Sequence, residues 1–180
     1  MSFSTAVAQR GINSPYENLI QSASARYGVP VALIKGIISA ESGWNPSAAS
    51  SSSYGLMQLN ATYFHNPDGS PILDPAQNID TGTSLIASQL QRRSTVDLAL
   101  AAYNAGTGRS DDDLANRIAG NINGVGAYVS NVLTYRDWFV ANDSGDYVPP
   151  DDGVDIGDTD IKLIAGITVF ALLVWSMLRR

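Results

Sequence analysis

The chain has 180 residues, 44% of them hydrophobic, with a net charge of −6, no Cys and a single His. That apolar fraction suffices for one packed domain with appendages and is too high for a chain disordered throughout. Without Cys there are no disulfides, thiolate metal sites or Cys nucleophiles, and the lone His65 excludes histidine-cluster metal chemistry and any triad that needs a second His.

The negative charge is unevenly spread. Residues 1–141 hold eight Lys/Arg and ten Asp/Glu, residues 142–160 hold seven Asp and no basic residue, and residues 161–180 hold Lys162, Arg179 and Arg180 without an acid. The acidity belongs to a linker-like stretch. No basic stripe is present, so nucleic acid is not an expected partner.

Along the chain, Met1 to Arg10 shows neither the basic n-region nor the apolar run of a secretory signal. Residues 1–14 are read as an N-terminal segment. Ser14-Pro15-Tyr16-Glu17 reads as a capping box with Pro at the first helical position, predicting a helix from Pro15 to about Gly28. Pro30 opens a second helix, whose apolar positions Val31, Leu33, Ile34, Ile37 and Ile38 fit one buried face. Glu41 falls at its end, before Gly43 and Pro46 stop it. Residues 44–60 lack helical period and are rich in Ser, which predicts a loop or small β excursion. His65, in Phe64-His65-Asn66-Pro67-Asp68-Gly69, reads as a solvated loop residue. Further helices are predicted near 78–93, 95–104, 112–119 and 125–140.

Residues 142–160 combine repulsive charge with Pro and Gly, a composition that cannot bury a core and is expected to stay extended. Residues 161–178 are apolar apart from Lys162, Thr168 and Ser176. Eighteen helical residues reach about 27 Å against a hydrocarbon core of about 30 Å, enough to span if Lys162 and Arg179 snorkel. A buried core helix would need an amphipathic stripe, and this segment is apolar all round, so a transmembrane helix anchored in lipid is expected. Arg179-Arg180, opposite the Asp-rich flank, place the C-terminus inside and residues 1–160 on the other side.

From position alone, Glu41 is either a solvated helix-end carboxylate or an acid whose surroundings raise its pKa. The negative end of a helix dipole disfavours the first, and the small Ser42 and Gly43 beside it leave room for a ligand. Between Glu41 and Gln58 there is no other acidic residue. Asp68, Asp74, Asp80 and Asp97 each read as turn or capping residues near helix ends.

Three short blocks stand in order: Glu41-Ser42-Gly43, Gly55-Leu56-Met57-Gln58-Leu59-Asn60 and Ala102-Tyr103-Asn104-Ala105-Gly106. With Asn45-Pro46, Asp74-Pro75-Ala76-Gln77-Asn78-Ile79 and Tyr128-Val129-Ser130-Asn131-Val132-Leu133, the set resembles the soluble-type lytic transglycosylases. The resemblance covers roughly residues 15–138. It implies a mainly α, lysozyme-like α+β domain over 15–141, with a small β or loop excursion beside the cleft. Added to this are the acidic linker and the C-terminal transmembrane helix.

The resemblance makes Glu41 the single catalytic acid. The family cleaves peptidoglycan glycan strands between N-acetylmuramic acid and N-acetylglucosamine without cofactor or metal. The substrate's 2-acetamido group assists departure, and the same Glu deprotonates the C6 hydroxyl to give a 1,6-anhydro ring. Gln58 is the expected cleft-lining amide, with no other evident reason to interrupt its apolar neighbours. Ser50 matches a family Ser near the acetamido group, with its register blurred by Ser51, Ser52 and Ser53. Tyr103 is expected at the sugar, Asn104 at either the sugar or a turn, and Tyr128 over the cleft. Trp44 and Tyr54 read equally as stacking platforms or core. Residues 109–123 form an insertion-like departure able to reshape one end of the groove.

The leading expectation is thus a membrane-anchored lytic transglycosylase on the outer or periplasmic face, in a phage virion membrane or a bacterial envelope. It would open the wall locally during phage entry, with virion or envelope-complex proteins as partners. A lysozyme-type hydrolase on the same fold and a non-catalytic wall-binding membrane protein are the alternatives.

Overall fold

Helix α3 (Val31–Glu41) runs through the middle of the protein, and seven consecutive residues, Leu33 to Ser39, are buried. The sequence pattern predicts one buried face. Instead neighbours cover the helix on all sides, because α2 (Glu17–Tyr27) and α7 (Val125–Asn142) pack against it, α7 most extensively. The computed structural model describes residues 2–12 and 14–143. Most of the stretch read as linker and the whole of segment 161–178 lie outside the described residues.

Around α3 stand α1 (Thr5–Arg10), α4 (Pro75–Arg92), α5 (Val96–Ala105) and α6 (Asp111–Ala119), with a 3-10 turn at Ile122–Gly124. The only sheet among the described residues is a two-stranded antiparallel pair, β1 (Ser53–Tyr54) and β2 (Leu59–Asn60), with Tyr54 opposite Leu59. The architecture is the mainly helical, lysozyme-like one with a small β excursion. Among the described residues no helix is long and apolar enough to cross a membrane.

The core gathers Ile20, Ile34, Ile37, Ile38, Leu56, Met57, Ile79, Ile86, Leu100, Leu114, Val132 and Phe139, all at 0–1% exposure. Each such side chain stabilises the fold by about 1.5–3 kcal/mol relative to exposure. The closest approach of α3 and α7 is at Gly36, where a Cβ would sit 2.8 Å from the Val132 carbonyl. Only a glycine lets the two backbones meet there.

Lys35 is the anomaly of this apolar helix. Its side chain is 1% exposed, and its ammonium lies between the carboxylates of Glu17, at 2.6 Å, and Asp143. It also sits 5.7 Å from the centre of the Phe139 ring. A buried lone ammonium would be strongly disfavoured, and two carboxylates from α2 and the end of α7 offset that cost.

This pairing corrects the expected helix start. Glu17 does not fold back to complete a capping box; it turns to Lys35, and α2 begins at Glu17 rather than Pro15. Ser14 Oγ accepts from the Tyr16 amide at 3.1 Å, so the serine shapes the turn before the helix. The stretch ahead of it is also ordered on the domain. Phe3 packs on Tyr135 with ring centres 5.0 Å apart, the Ser4 amide donates to Tyr135 Oη, and Ala8 is fully buried.

Residues 109–123 fold largely as α6 and its flanking turns. Ser110 caps α6 by accepting from the Asp113 amide. Arg93 binds the Thr107 and Arg109 carbonyls and Asp111, which sews the connection after α5 to the end of α4.

Candidate active site

Glu41 is the last residue of α3, where the chain turns sharply. The Ser42 amide closes on the Ile38 carbonyl, and Gly43 (φ 56) and Trp44 (φ 72) both take left-handed backbone. Trp44 tolerates that strain because its ring is held. The side chain is 8% exposed, its Nε1 donates to Ser39 Oγ at 2.9 Å, and it meets Phe139 edge-on. Trp44 is therefore core, not a stacking platform. It anchors the turn that follows Glu41.

Glu41 is half-buried as a residue, but its carboxyl is surrounded by protein, and this desolvation pushes it up to about 7. The Tyr128 hydroxyl faces it and pulls it partway back. A carboxyl of this kind holds a transferable proton near neutral pH. Tyr103 and Tyr128 are both pushed well above the ordinary phenol value, first by burial and then by the charge of Glu41. Residues from α3, α5 and α7 thus converge on one acid flanked by two neutral phenols.

The two phenols differ in how they are held. Tyr103 donates its hydroxyl to the Met57 carbonyl at 2.8 Å. Tyr128 Oη is buried and has no hydrogen-bond partner of ordinary geometry among the described residues. It is the polar atom of this group left to engage a ligand.

Gln58 stands in the turn between the strands with a left-handed φ of 49. Its amide group donates to the Ala48 and Gly55 carbonyls at 3.1 and 3.0 Å. The sequence offers no reason for Gln here other than ligand binding; the structure supplies one, since the side chain staples the loop. Its amide carbonyl oxygen is the group those two bonds leave uncommitted.

Ser50 is exposed, and its hydroxyl and amide pair with Ser53 across the tight turn before β1. Asn104 is exposed beside the Gly106 turn, while Tyr54 is half-buried. The geometry gathers Glu41, Tyr103 and Tyr128 directly; Gln58 joins them through the adjoining Met57.

The other carboxylates have separate work. Asp74 caps α4, accepting from the Gln77 amide at 2.9 Å. Asp68 accepts from the Ser70 amide and hydroxyl in its turn, which holds its pKa below the usual value. Asp80 departs from the expected capping role: it lies within α4 and accepts from Arg26 and from the Tyr27 hydroxyl, tying α4 to α2. Asp97 sits in the first turn of α5, where Thr95 provides the cap. Among the described residues, no group of three His, Asp or Glu is placed to hold a metal ion.

Asn78 has a central role that the sequence reading left unassigned. It is fully buried at the start of α4, accepts from the Met57 amide at 2.8 Å, and donates to the Tyr54 and Ile72 carbonyls. The signal in the sequence is its place in the stretch 74–79, directly before the apolar Ile79.

A family model described as the transglycosylase SLT domain matches residues 18–124. The chain belongs to this family. The SLT match takes in Glu41, Gln58, Asn78 and Tyr103 and stops just short of Tyr128. The chain is 36% identical over 93 residues to a transglycosylase of Enterobacteria phage PRD1, a match covering 51% of this chain and 35% of that protein. It is 34% identical over 116 residues to the membrane-bound lytic murein transglycosylase C of Edwardsiella ictaluri, covering 52% of this chain and 32% of that one. Among solved structures, it is similar to the 70-kDa soluble lytic transglycosylase in complex with bulgecin A, with a TM-score of 0.63 and 26% identity. That likeness covers 84% of this chain and 28% of the other. The SLT region therefore corresponds to about a third of the length of each of these relatives.

Proposed function

We propose that this SLT-family chain is a lytic transglycosylase acting on peptidoglycan, cleaving the β-1,4 bond between N-acetylmuramic acid and N-acetylglucosamine. One observation carries the reading. The carboxyl at the centre of the site is raised to about 7 and is faced by two phenols rather than by a second carboxylate. A two-carboxylate hydrolase needs a partner acid on the far face of the scissile bond. Asp68, Asp74 and Asp80 are committed elsewhere.

In this reading protonated Glu41 gives its proton to the departing glycosidic oxygen as the bond from that oxygen to C1 of N-acetylmuramic acid breaks. The sugar's own acetamido oxygen stabilises C1. The resulting Glu41 carboxylate then takes the proton of the C6 hydroxyl, whose oxygen bonds to C1. The carboxyl ends protonated and ready, and no water is consumed. Tyr128, with its free buried hydroxyl, steadies the carboxylate between the two transfers.

Segment 161–178 anchors the enzyme in a membrane, and the acidic stretch before it serves as a tether, with the SLT domain facing the wall. The relative from phage PRD1 favours a virion setting in which the wall is opened locally during entry. Product mass tests the chemistry. Muropeptides ending in a 1,6-anhydro ring, one water lighter than hydrolysed ones, are expected. Reducing-end products alone would make the enzyme a hydrolase, and intact glycan would leave only wall binding.

A further inference from the structure

Both backbone groups of Met57 are clamped by side chains from two different helices. Its N–H donates to Asn78 Oδ1 on α4 at 2.8 Å, and its carbonyl accepts from Tyr103 on α5 at 2.8 Å. Asn78 also donates to the carbonyls of Tyr54 and Ile72, so one amide holds β1, the strand-to-strand turn and the entry to α4 together. The fit is tight: a Cβ at Gly55 (φ 79) would lie 2.2 Å from Asn78 Nδ2. Directly after Met57, Gln58 is held in left-handed backbone, and its own amide grips the carbonyls of Ala48 and Gly55.

These bonds form a chain from α4 to the acid. Asn78 fixes the Met57 peptide, Met57 fixes the Tyr103 hydroxyl, and Tyr103 stands beside Glu41. We propose that Asn78 is a positioning residue for the cleavage reaction, setting the Met57 peptide and through it the placement of Tyr103 and Gln58 against the glycan. The inference rests on Glu41 being the reacting acid. Asn is the residue that suits the post. One oxygen must accept from an N–H while two hydrogens are donated to two carbonyls, a pattern that neither an ionised Asp nor a Leu of similar size can match. Buried in full, the amide has no water to substitute for any of the three partners.

The test uses the full chain with Asn78→Ala, Asn78→Leu and Asn78→Asp, and soluble glycan strands of alternating N-acetylglucosamine and N-acetylmuramic acid. Melting temperature and circular dichroism establish the temperature at which each variant is folded, and kcat and KM are measured there. Asn78→Leu keeps a similar volume without the bond to Met57 and serves if Asn78→Ala does not fold, whereas Asn78→Asp keeps the acceptor for the Met57 amide and should retain more activity than either. A displaced Tyr103 is expected to lower kcat by ~10- to 100-fold with the fold intact. It should also shift the falling limb of the kcat–pH profile, which Glu41 sets between Tyr103 and Tyr128, to lower pH as water reaches the carboxyl. A folded Asn78→Ala or Asn78→Leu enzyme with wild-type kcat and an unmoved pH profile, whatever its loss of melting temperature, would reduce Asn78 to a purely structural residue. Wild-type enzyme that fails to cleave the same strands would instead sink the proposed function.

Discussion

Tyr128 brings a buried hydroxyl to the carboxyl of Glu41 without closing a hydrogen bond of ordinary geometry. Tyr103, on the other side, spends its hydroxyl on the Met57 carbonyl. Two phenols facing one acid therefore do different things, and single-atom substitutions separate them. Tyr103→Phe breaks a formed bond and leaves a carbonyl short of a partner, so it should cost about 1 kcal/mol of stability along with activity. Tyr128→Phe leaves no carbonyl short of a partner but removes the hydroxyl that favours the Glu41 carboxylate, so stability should stay near wild type at low pH and fall modestly as pH rises through the Glu41 window. Because the Tyr128 hydroxyl pulls the Glu41 carboxyl down, its removal should move the pH at which activity falls upward. Thermal melts and pH–rate profiles of the pair provide the check.

The desolvated carboxyl also makes stability depend on pH. Glu41 releases its proton near 4.5 in the unfolded chain and near 7 in the folded one. Between those values the unfolded state binds fewer protons, so folding loses stability as pH rises across the window and levels off above it. Glu41→Gln removes this loss. Relative to wild type, the variant should gain about 1–3 kcal/mol between pH 4.5 and 8, after discounting for the partial exposure of the residue. Urea titrations at both pH values measure it. A constant difference would mean that the carboxyl is as well hydrated in the fold as outside it.

Asp143 sets where the catalytic domain can be cut. The Lys35 ammonium is buried between Glu17 and Asp143, and Asp143 is only 18% exposed. A fragment ending at residue 141 lacks that partner, whereas one ending at residue 143 keeps it. The longer fragment should be more stable by about 1.5–3 kcal/mol, the worth of a hydrogen bond to a charged group. Paired denaturation curves decide it. Both fragments should fail to sediment with membranes that retain the full chain, since each lacks residues 161–178. A fragment that still partitions with membranes would remove the case for the anchor.

How far the sequence reaches is clear from particular residues. Local signals worked where the cause was local. Asp74 caps α4 as a capping residue should, Gly28 follows α2, and the Ser-rich stretch yields a two-stranded excursion. The helices expected near 78–93, 95–104, 112–119 and 125–140 appear as α4 to α7, α4 starting three residues early at Pro75. Glu41 ends its helix as expected. Long-range pairings were hidden. Glu17 reads as a capping-box acid because Lys35, eighteen positions away, is invisible to a local pattern. Thr5–Arg10 carries too short a stripe to announce itself, and it forms because Phe3 and Ala8 find α7 and the core.

The site shows the same division. The first and third blocks and the separate stretch from Tyr128 supply Glu41, Tyr103 and Tyr128, and the fold places both tyrosines where the charge of Glu41 acts on them. Their hydrogen-bond commitments were not legible: Gln58 staples its own loop and Ser50 closes a turn. Asn78 holds three backbone groups that sequence alone leaves far apart.

Replacement of Glu41 by Gln tests the central claim most directly. The variant keeps shape and polarity, removes the transferable proton, and should fold at least as well as wild type. Loss of a general acid typically slows a reaction ~10²–10⁴-fold; here the same carboxyl serves as acid and then as base, so release of anhydro-muropeptides should fall to the top of that range or beyond. A purified, folded Glu41→Gln enzyme that releases them at about a tenth of the wild-type rate or faster, far above what loss of a general acid allows, would show that the reacting acid lies elsewhere.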